Sequence, residues 1–196
     1  TPLRKTREPD LSFIVDSLKA MAPHMRADQL LILESTTYPG TTEEILVPIL
    51  EEVGLRPGRD VEVAFSPERT DPGNKAYSTR TIPKVVGGMT PRANEAAVAL
   101  YGRCIDKVVS VSSPKVAEMS KLAENTYRAV NIAYVNELAM LAHEMGVDIW
   151  EVMEAAAKQL IPDPRFWLST GRMAQEVWPI ADGDKRAANV QRINLF

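Results

Sequence analysis

Leu30-Leu31-Ile32-Leu33-Glu34-Ser35-Thr36-Thr37-Tyr38-Pro39-Gly40-Thr41-Thr42-Glu43-Glu44 is the stretch that decides the fold class. Residues 30–33 are a continuous apolar run of strand length, the pattern of a strand covered on both faces. Tyr38-Pro39-Gly40 is a turn. Thr41, with Glu44 three residues on, reads as a capping box opening a helix through about Glu52. Strand, polar turn and helix in succession are the unit of an α/β protein, which keeps its chemistry in the crevice at the carboxyl ends of the strands.

The same alternation extends in both directions. Upstream, Asp10 followed by Leu11, Ile14, Val15, Leu18 and Met21 reads as a capped amphipathic helix ending near Pro23. Downstream, Gly54 and Pro57-Gly58 end the second helix, and residues 61–65 form a second strand. Residues 66–83, rich in Pro, Asp, Gly, Ser and Thr, form a long loop, and loops of that length are commonly functional or disordered. Residues 84–88 are a third strand. Thr90 as N-cap and Pro91 at the first helical position open a helix to Tyr101, and residues 107–111 are a fourth strand. This spacing predicts a thin, doubly wound parallel sheet with right-handed crossovers.

Ser113-Pro114 then caps a helix over 115–145, closed by Gly146 and roughly 45 Å long. Val116, Met119, Ala123, Thr126, Val130, Ala133 and Leu141 form one stripe along it. Lys121, Asn125 and Arg128 form a more polar one. A helix this long links two lobes or pairs with a twin in a dimer. Asp148 and Glu151 open a further helix through Ala157. Beyond it, residues 158–196 carry Pro162, Pro164, Pro179, Trp167 and Trp178 without a sustained period, and read as a poorly structured tail.

Composition narrows the class. The 196 residues are 45% hydrophobic and 25% charged, ordinary for a globular protein. A formal charge of −3 supplies no basic field for nucleic acid. No apolar run reaches the ~18 residues that span a bilayer. The single cysteine, Cys104, excludes an intrachain disulfide framework and fits a reducing, cytoplasmic setting. His24 and His143 lack the spacing of a metal site, so no metal is expected. Gly87-Gly88 lacks the spacing and third glycine of a dinucleotide fingerprint.

Three clusters could carry chemistry. Thr36, just past a strand, could orient a water or hydrogen-bond a substrate, or simply satisfy its own turn. Glu68, just past the next strand, could act as a general base, or pair with Arg69 on the surface. Arg69 offers a bidentate fork for a phosphate or carboxylate. Lys121 and Asn125 share a helix face and could converge on one ligand oxygen, each well-placed donor being worth about 3 kcal/mol at a developing oxyanion. A solvated polar face is the plainer account of that pair.

Taken together, residues 34–42, Ser66-Pro67-Glu68-Arg69-Thr70-Asp71-Pro72-Gly73, Lys84-Val85-Val86-Gly87-Gly88 and Lys121-Leu122-Ala123-Glu124-Asn125 resemble the UDP-glucose/GDP-mannose dehydrogenase family. These nucleotide-sugar 6-dehydrogenases oxidise a sugar CH2OH to a carboxylate in two NAD-dependent steps. The Ser-Pro-Glu-Arg-x-x-Pro-Gly form looks closest to the branch acting on UDP-N-acetylglucosamine or its epimers, and the resemblance runs to about Ala157. It implies a partial Rossmann-like doubly wound sheet followed by a long central helix and a helical dimerisation region. Residues 1–112 would be the C-terminal part of the NAD-binding domain, 113–157 the central dimerisation domain and 158–196 a divergent tail.

By matched position, Thr36 would hydrogen-bond the catalytic water beside the nicotinamide, with Ser35 and Thr36 touching the cofactor. Glu68 would act in thioester hydrolysis, and Lys121 and Asn125 would steady the oxyanion. Glu68, Arg69, Lys121 and Asn125 would contact the UDP-sugar. In this family a cysteine captures the aldehyde, but neither its Gly-Gly-x-Cys segment nor the Gly-rich cofactor turn has a counterpart here. Cys104 does not match the nucleophile, so the isolated chain is expected to be inactive. A homodimer or higher oligomer through the 115–145 helix is expected, with no nucleic-acid or membrane partner. UDP-glucose and UDP-N-acetylmannosamine are alternative substrates, and a non-catalytic dimerising module derived from the family is an alternative role. Another β-hydroxyacid-type dehydrogenase is a weaker fit, because of the Ser-Pro-Glu-Arg loop.

Overall fold

The computed structural model describes residues 9–68 and 80–159, the side chains of 157–159 excepted. It divides into two compact units, Thr1–Ala123 and Glu124–Phe196.

In the first unit, helix α1 (Ser12–Met21) runs into a 3-10 turn, Ala22–His24, where Pro23 ends the regular helix. The Asp10 carboxylate accepts from the Ser12 amide at 3.1 Å, although Leu11 occupies the cap position itself. Strand β1 (Gln29–Leu33) is followed by a π-helical segment, Thr42–Leu46, that passes into α2 (Val47–Glu52). Pro48 explains the widened turn, since it cannot donate an i→i−4 bond and its ring crowds the preceding carbonyl. Strands β2 (Val61–Phe65) and β3 (Lys84–Gly88), helix α3 (Pro91–Tyr101) and strand β4 (Val108–Val111) complete the α/β layer. Thr90 caps α3 as expected, its hydroxyl accepting from the Ala93 amide at 2.9 Å.

The sheet order is β1-β2-β3-β4. β1 pairs with β2 and β3 with β4 in parallel, but β2 and β3 are antiparallel, with Ala64 opposite Gly88 and Phe65 opposite Gly87. The sheet is therefore parallel-rich rather than wholly parallel. The physical reason lies in the connection. A parallel crossover needs a helix to carry the chain back, and residues 66–83 carry no helix period. The reversal brings the start of β3 to the edge where β1 and β2 end.

β2 is buried throughout, and its side chains sort by alternation. Val61, Val63 and Phe65 join Leu18, Ala22, Leu46, Ile49, Leu50 and Ala117 on one face. Ala64 joins Val86 and Ala97 on the other. Gly87 permits a close approach between layers, because a Cβ there would meet the Ser113 carbonyl oxygen at 2.1 Å. Gly87→Ala is accordingly expected to cost about 1–3 kcal/mol through overpacking. Urea unfolding of the chain reads this directly, and an unchanged midpoint would contradict the packing.

Helix α4 (Pro114–Glu144) begins in the first unit, where Ser113 caps it by accepting from the Val116 amide at 3.3 Å. The stripe expected from Val116 to Leu141 is exposed along its whole length. The buried positions are Pro114, Ala117, Glu118, Asn131, Val135, Ala139 and Ala142. The helix carries apolar residues on more than one face, and the stripe read from the sequence is the exposed one. In the second unit, Gly146 (φ 65°) turns the chain into α5 (Ile149–Gln159), which Asp148 caps through the Trp150 amide at 2.9 Å. That helix reaches two residues beyond the expected Ala157. The tail expected over 158–196 otherwise lies outside the described residues.

Candidate active site

Ser35 and Thr36 leave the carboxyl end of β1, with Ser35 exposed and Thr36 half-buried. The turn that follows is tightly held. The Thr41 hydroxyl donates to the Tyr38 carbonyl at 2.6 Å, and the Tyr38 phenol donates to Glu44 at 3.0 Å. Gly40 adopts φ 110°, a left-handed backbone that favours glycine. The expected Thr41/Glu44 capping box does not form. Glu44 turns instead to Tyr38, and Glu118 of α4 takes its place. One Glu118 oxygen accepts from the Gly40 amide at 2.5 Å, and the other accepts from the Thr42 amide at 2.9 Å and the Thr42 hydroxyl at 2.7 Å. A carboxylate suits a helix N-terminus, where unpaired amides and the helix dipole favour negative charge.

Glu68 follows the end of β2 by three residues and is exposed, and its charge acts on the carboxyl of Glu34, the residue before Ser35. Glu34 accepts from Lys84 Nζ at 2.9 Å and from the Tyr101 hydroxyl at 2.6 Å. Lys84 also lies over the Tyr101 ring, 4.7 Å from its centroid, and is itself buried. Antiparallel β3 makes this cluster possible by delivering its first residue to the carboxyl edge of β1 and β2.

Burial raises the Glu34 carboxyl, but the hydrogen bonds from Lys84 and Tyr101 and the Lys84 charge outweigh it, holding the group below its usual 4.5. Burial first, and then the hydrogen bond and charge of Glu34, push the Tyr101 phenol well above its usual 10.0. A depressed carboxyl stabilises the fold above pH 4.5, and that contribution is lost as pH falls through the folded value. A raised phenol stays protonated in the fold while the unfolded chain ionises, so its contribution is lost as pH rises beyond 10. Urea midpoints are therefore expected to fall at both extremes. Glu34→Gln should make the acid limb shallower, and Tyr101→Phe the alkaline one. An acid limb unchanged in Glu34→Gln would contradict the Glu34 assignment.

Lys121 is half-buried on α4, one turn beyond Glu118. Glu34 precedes the Thr36 turn and feels the charge of Glu68, while Glu118 joins that turn to the helix bearing Lys121. Asn125, also half-buried, lies a further turn along α4, in the second unit. Arg69 lies outside the described residues. Sequence reasoning missed Glu118, Lys84 and Tyr101, and gave Glu34 no role. A lysine opening an otherwise apolar strand, and an acid three residues before Lys121, were the available signals. No cluster of possible metal ligands occurs among the described residues.

A parallel-rich sheet with a hydroxyl-bearing turn at its carboxyl edge is a Rossmann-like nucleotide-binding architecture. Sequence comparison agrees. Residues 1–105 match the NAD binding domain of the UDP-glucose/GDP-mannose dehydrogenase family, and residues 115–169 match its central domain. The chain belongs to this family of NAD-dependent dehydrogenases. It is 41% identical over 158 residues to the UDP-N-acetyl-D-glucosamine 6-dehydrogenase of Pseudomonas aeruginosa, covering 80% of this chain and 37% of that protein. It is 35% identical to the NDP-N-acetyl-D-galactosaminuronic acid dehydrogenase of Ralstonia solanacearum, covering 98% and 48%. The solved UDP-D-ManNAc dehydrogenase of Pyrococcus horikoshii superposes with a TM-score of 0.76 at 32% identity, covering 100% of this chain and 49% of that one. The chain thus spans half or less of the length of these relatives. The central-domain match passes Ala157, where the resemblance was expected to stop, and continues to residue 169.

The family's cofactor is NAD. Ser35 and Thr36 present hydroxyls at the end of β1, and the neighbouring Thr37 Oγ1 is buried with no hydrogen-bond partner among the described residues. Among the described residues no helix is long and apolar enough to cross a membrane.

Proposed function

We propose that the chain is part of a nucleotide-sugar 6-dehydrogenase that oxidises the C6 alcohol of a UDP-sugar, UDP-N-acetylglucosamine before its epimers, to the uronic acid for surface-polysaccharide synthesis in the cytoplasm. The observation that carries this reading is the joining of the Thr36 turn to the Lys121 helix through Glu118, in a chain 41% identical to a UDP-N-acetylglucosamine enzyme. On this reading residues 1–112 supply part of the cofactor domain and 113–157 the central dimerising region.

NAD supplies the hydride acceptor. Ser35 and Thr36 hold the cofactor's polar edge, and Thr36 orients the water that ends the reaction. Glu68 takes that water's proton. Lys121 and Asn125 donate to the oxygen that gains charge, while Arg69 and Glu68 contact the nucleotide sugar. Cys104 is exposed on the turn after α3, its thiol donating to the Tyr101 carbonyl at 3.5 Å, and has no role in capture. Turnover is expected of a longer polypeptide containing these residues rather than of the 196 alone.

The exposed stripe of α4, with Val116, Met119, Val130 and Leu141 between 44% and 62% accessible, favours a homodimer through this helix. It also supports a second reading, a catalytically silent dimerising module.

A direct test supplies the protein bearing this chain with NAD and, separately, UDP-N-acetylglucosamine, UDP-N-acetylmannosamine and UDP-glucose. NADH formation with the first at the highest kcat/KM is expected. Highest efficiency with another UDP-sugar would move the substrate assignment. No NADH with any of them, from a folded dimer, would support the silent module.

A further inference from the structure

Glu118 is only 1% exposed, and three donors from one distant turn satisfy its carboxylate. A helix N-terminus with free amides is ordinarily a place for a ligand anion. Here the chain fills that place with its own side chain, 76 to 78 residues away in sequence. A buried carboxylate is a poor choice for stability alone, because desolvation offsets much of what its hydrogen bonds contribute, and an apolar side chain of similar size would pack as well. What it gives that an apolar side chain cannot is direction. Three short hydrogen bonds fix both the axial position and the rotation of the first turns of α4, within the first unit, against the turn.

The surroundings support the same conclusion. Gly87 lets the start of α4 press against β3, and Ala117 beside Glu118 is fully buried. Lys115 adds an ion pair to Glu43 at 3.4 Å, one residue beyond the clamped Thr42. The turn is held further by the Thr41 hydroxyl, which donates to the Tyr38 carbonyl, and by the Glu44 amide, which donates to the Gly40 carbonyl at 2.8 Å. Lys121 stands three residues after the clamp and Thr36 four residues before it, so the register of one relative to the other passes through Glu118.

We propose that Glu118 is a positioning residue, fixing Lys121 on α4 against the Thr36 turn by capping the helix that starts at that turn. The role rests on the dehydrogenase reading above, and the clamp itself can be measured without it.

Amide hydrogen exchange on the 196-residue chain reads the clamp. Glu118→Ala is expected to speed exchange at Gly40 and Thr42 by about tenfold or more, leaving the Thr90-capped start of α3 unchanged. Glu118→Gln keeps the shape and one acceptor but turns a donor toward one amide, so it should fall between. It serves as the readable variant if Ala fails to fold. Steady-state kinetics of the longer enzyme bearing the same substitutions read the positioning. The expected result is kcat lowered about 10- to 100-fold with KM for NAD and UDP-sugar nearly unchanged, as for a reacting group displaced by an ångström or so, and partial rescue by Gln. Unchanged exchange at both amides would overturn the clamp. Faster exchange with unaltered kcat per folded enzyme would make Glu118 merely structural and overturn the positioning role. An unsubstituted enzyme that forms no NADH would instead overturn the dehydrogenase reading, while the exchange result still stands.

Discussion

Lys121→Ala, in the enzyme that contains this chain, is expected to lower kcat/KM by about 10²- to 10³-fold, the effect of removing one donor from a developing oxyanion. The loss falls on the chemical step, so no rapid first turnover of NADH should be visible. The fold should survive, because Lys121 is half-buried beside residues that hold α4 independently: Ala117, Glu118 and the Ser113 cap. Stopped-flow NADH formation and the melting temperature of the 196-residue chain check the two halves of the expectation. Near-normal NADH formation would remove Lys121 from the site. A collapsed melting temperature would reassign it to structure.

Glu68→Gln is expected to act later in the same reaction. An amide cannot take a proton from water, so hydrolysis slows by about 10²- to 10⁴-fold while the oxidations before it proceed. The resulting signature is a burst of NADH followed by a nearly flat steady state, the behaviour of an accumulating acyl-enzyme. Glu68 is exposed at the end of β2, so its replacement should leave the core of Val61, Val63 and Phe65 undisturbed. Steady-state turnover close to that of the unsubstituted enzyme would give the base to another group. Loss of the burst as well would place Glu68 in substrate binding instead.

The fold was legible wherever local signals agree. Residues 61–65 and 84–88 are strands with turn residues on either side, and both lie where expected. Thr90-Pro91 marks the start of α3 correctly, because cap and first-turn proline act within one helical turn. What sequence could not show was pairing over distance. The antiparallel β2–β3 pair fixes a relative direction that no local signal in either strand specifies. The failed capping box shows the same limit: Thr41 and Glu44 have the right spacing, but their amides bond to Tyr38 and Gly40 carbonyls while a carboxylate from α4 takes the neighbouring Gly40 and Thr42 amides. Which face of α4 is buried was not legible, because Val116, Met119 and Val130 are as apolar as Val135 and Ala139, which are buried.

The site divides along the same line. Thr36, Glu68 and Lys121 were legible as candidates because each sits at a strand end or on a helix face. Glu34, Lys84, Tyr101 and Glu118, which hold the surroundings of those residues, were not, because each acts through a partner remote in sequence. Glu34 and Tyr101 are 67 residues apart, for example.

The most direct test of the central claim is the stoichiometry of NADH formed against UDP-N-acetylglucosamine consumed by the protein bearing this chain. A nucleotide-sugar 6-dehydrogenase yields two NADH for each sugar, with a uronic acid as product. One NADH per sugar, with an aldehyde or ketone released, would mean simple alcohol oxidation and contradict the account.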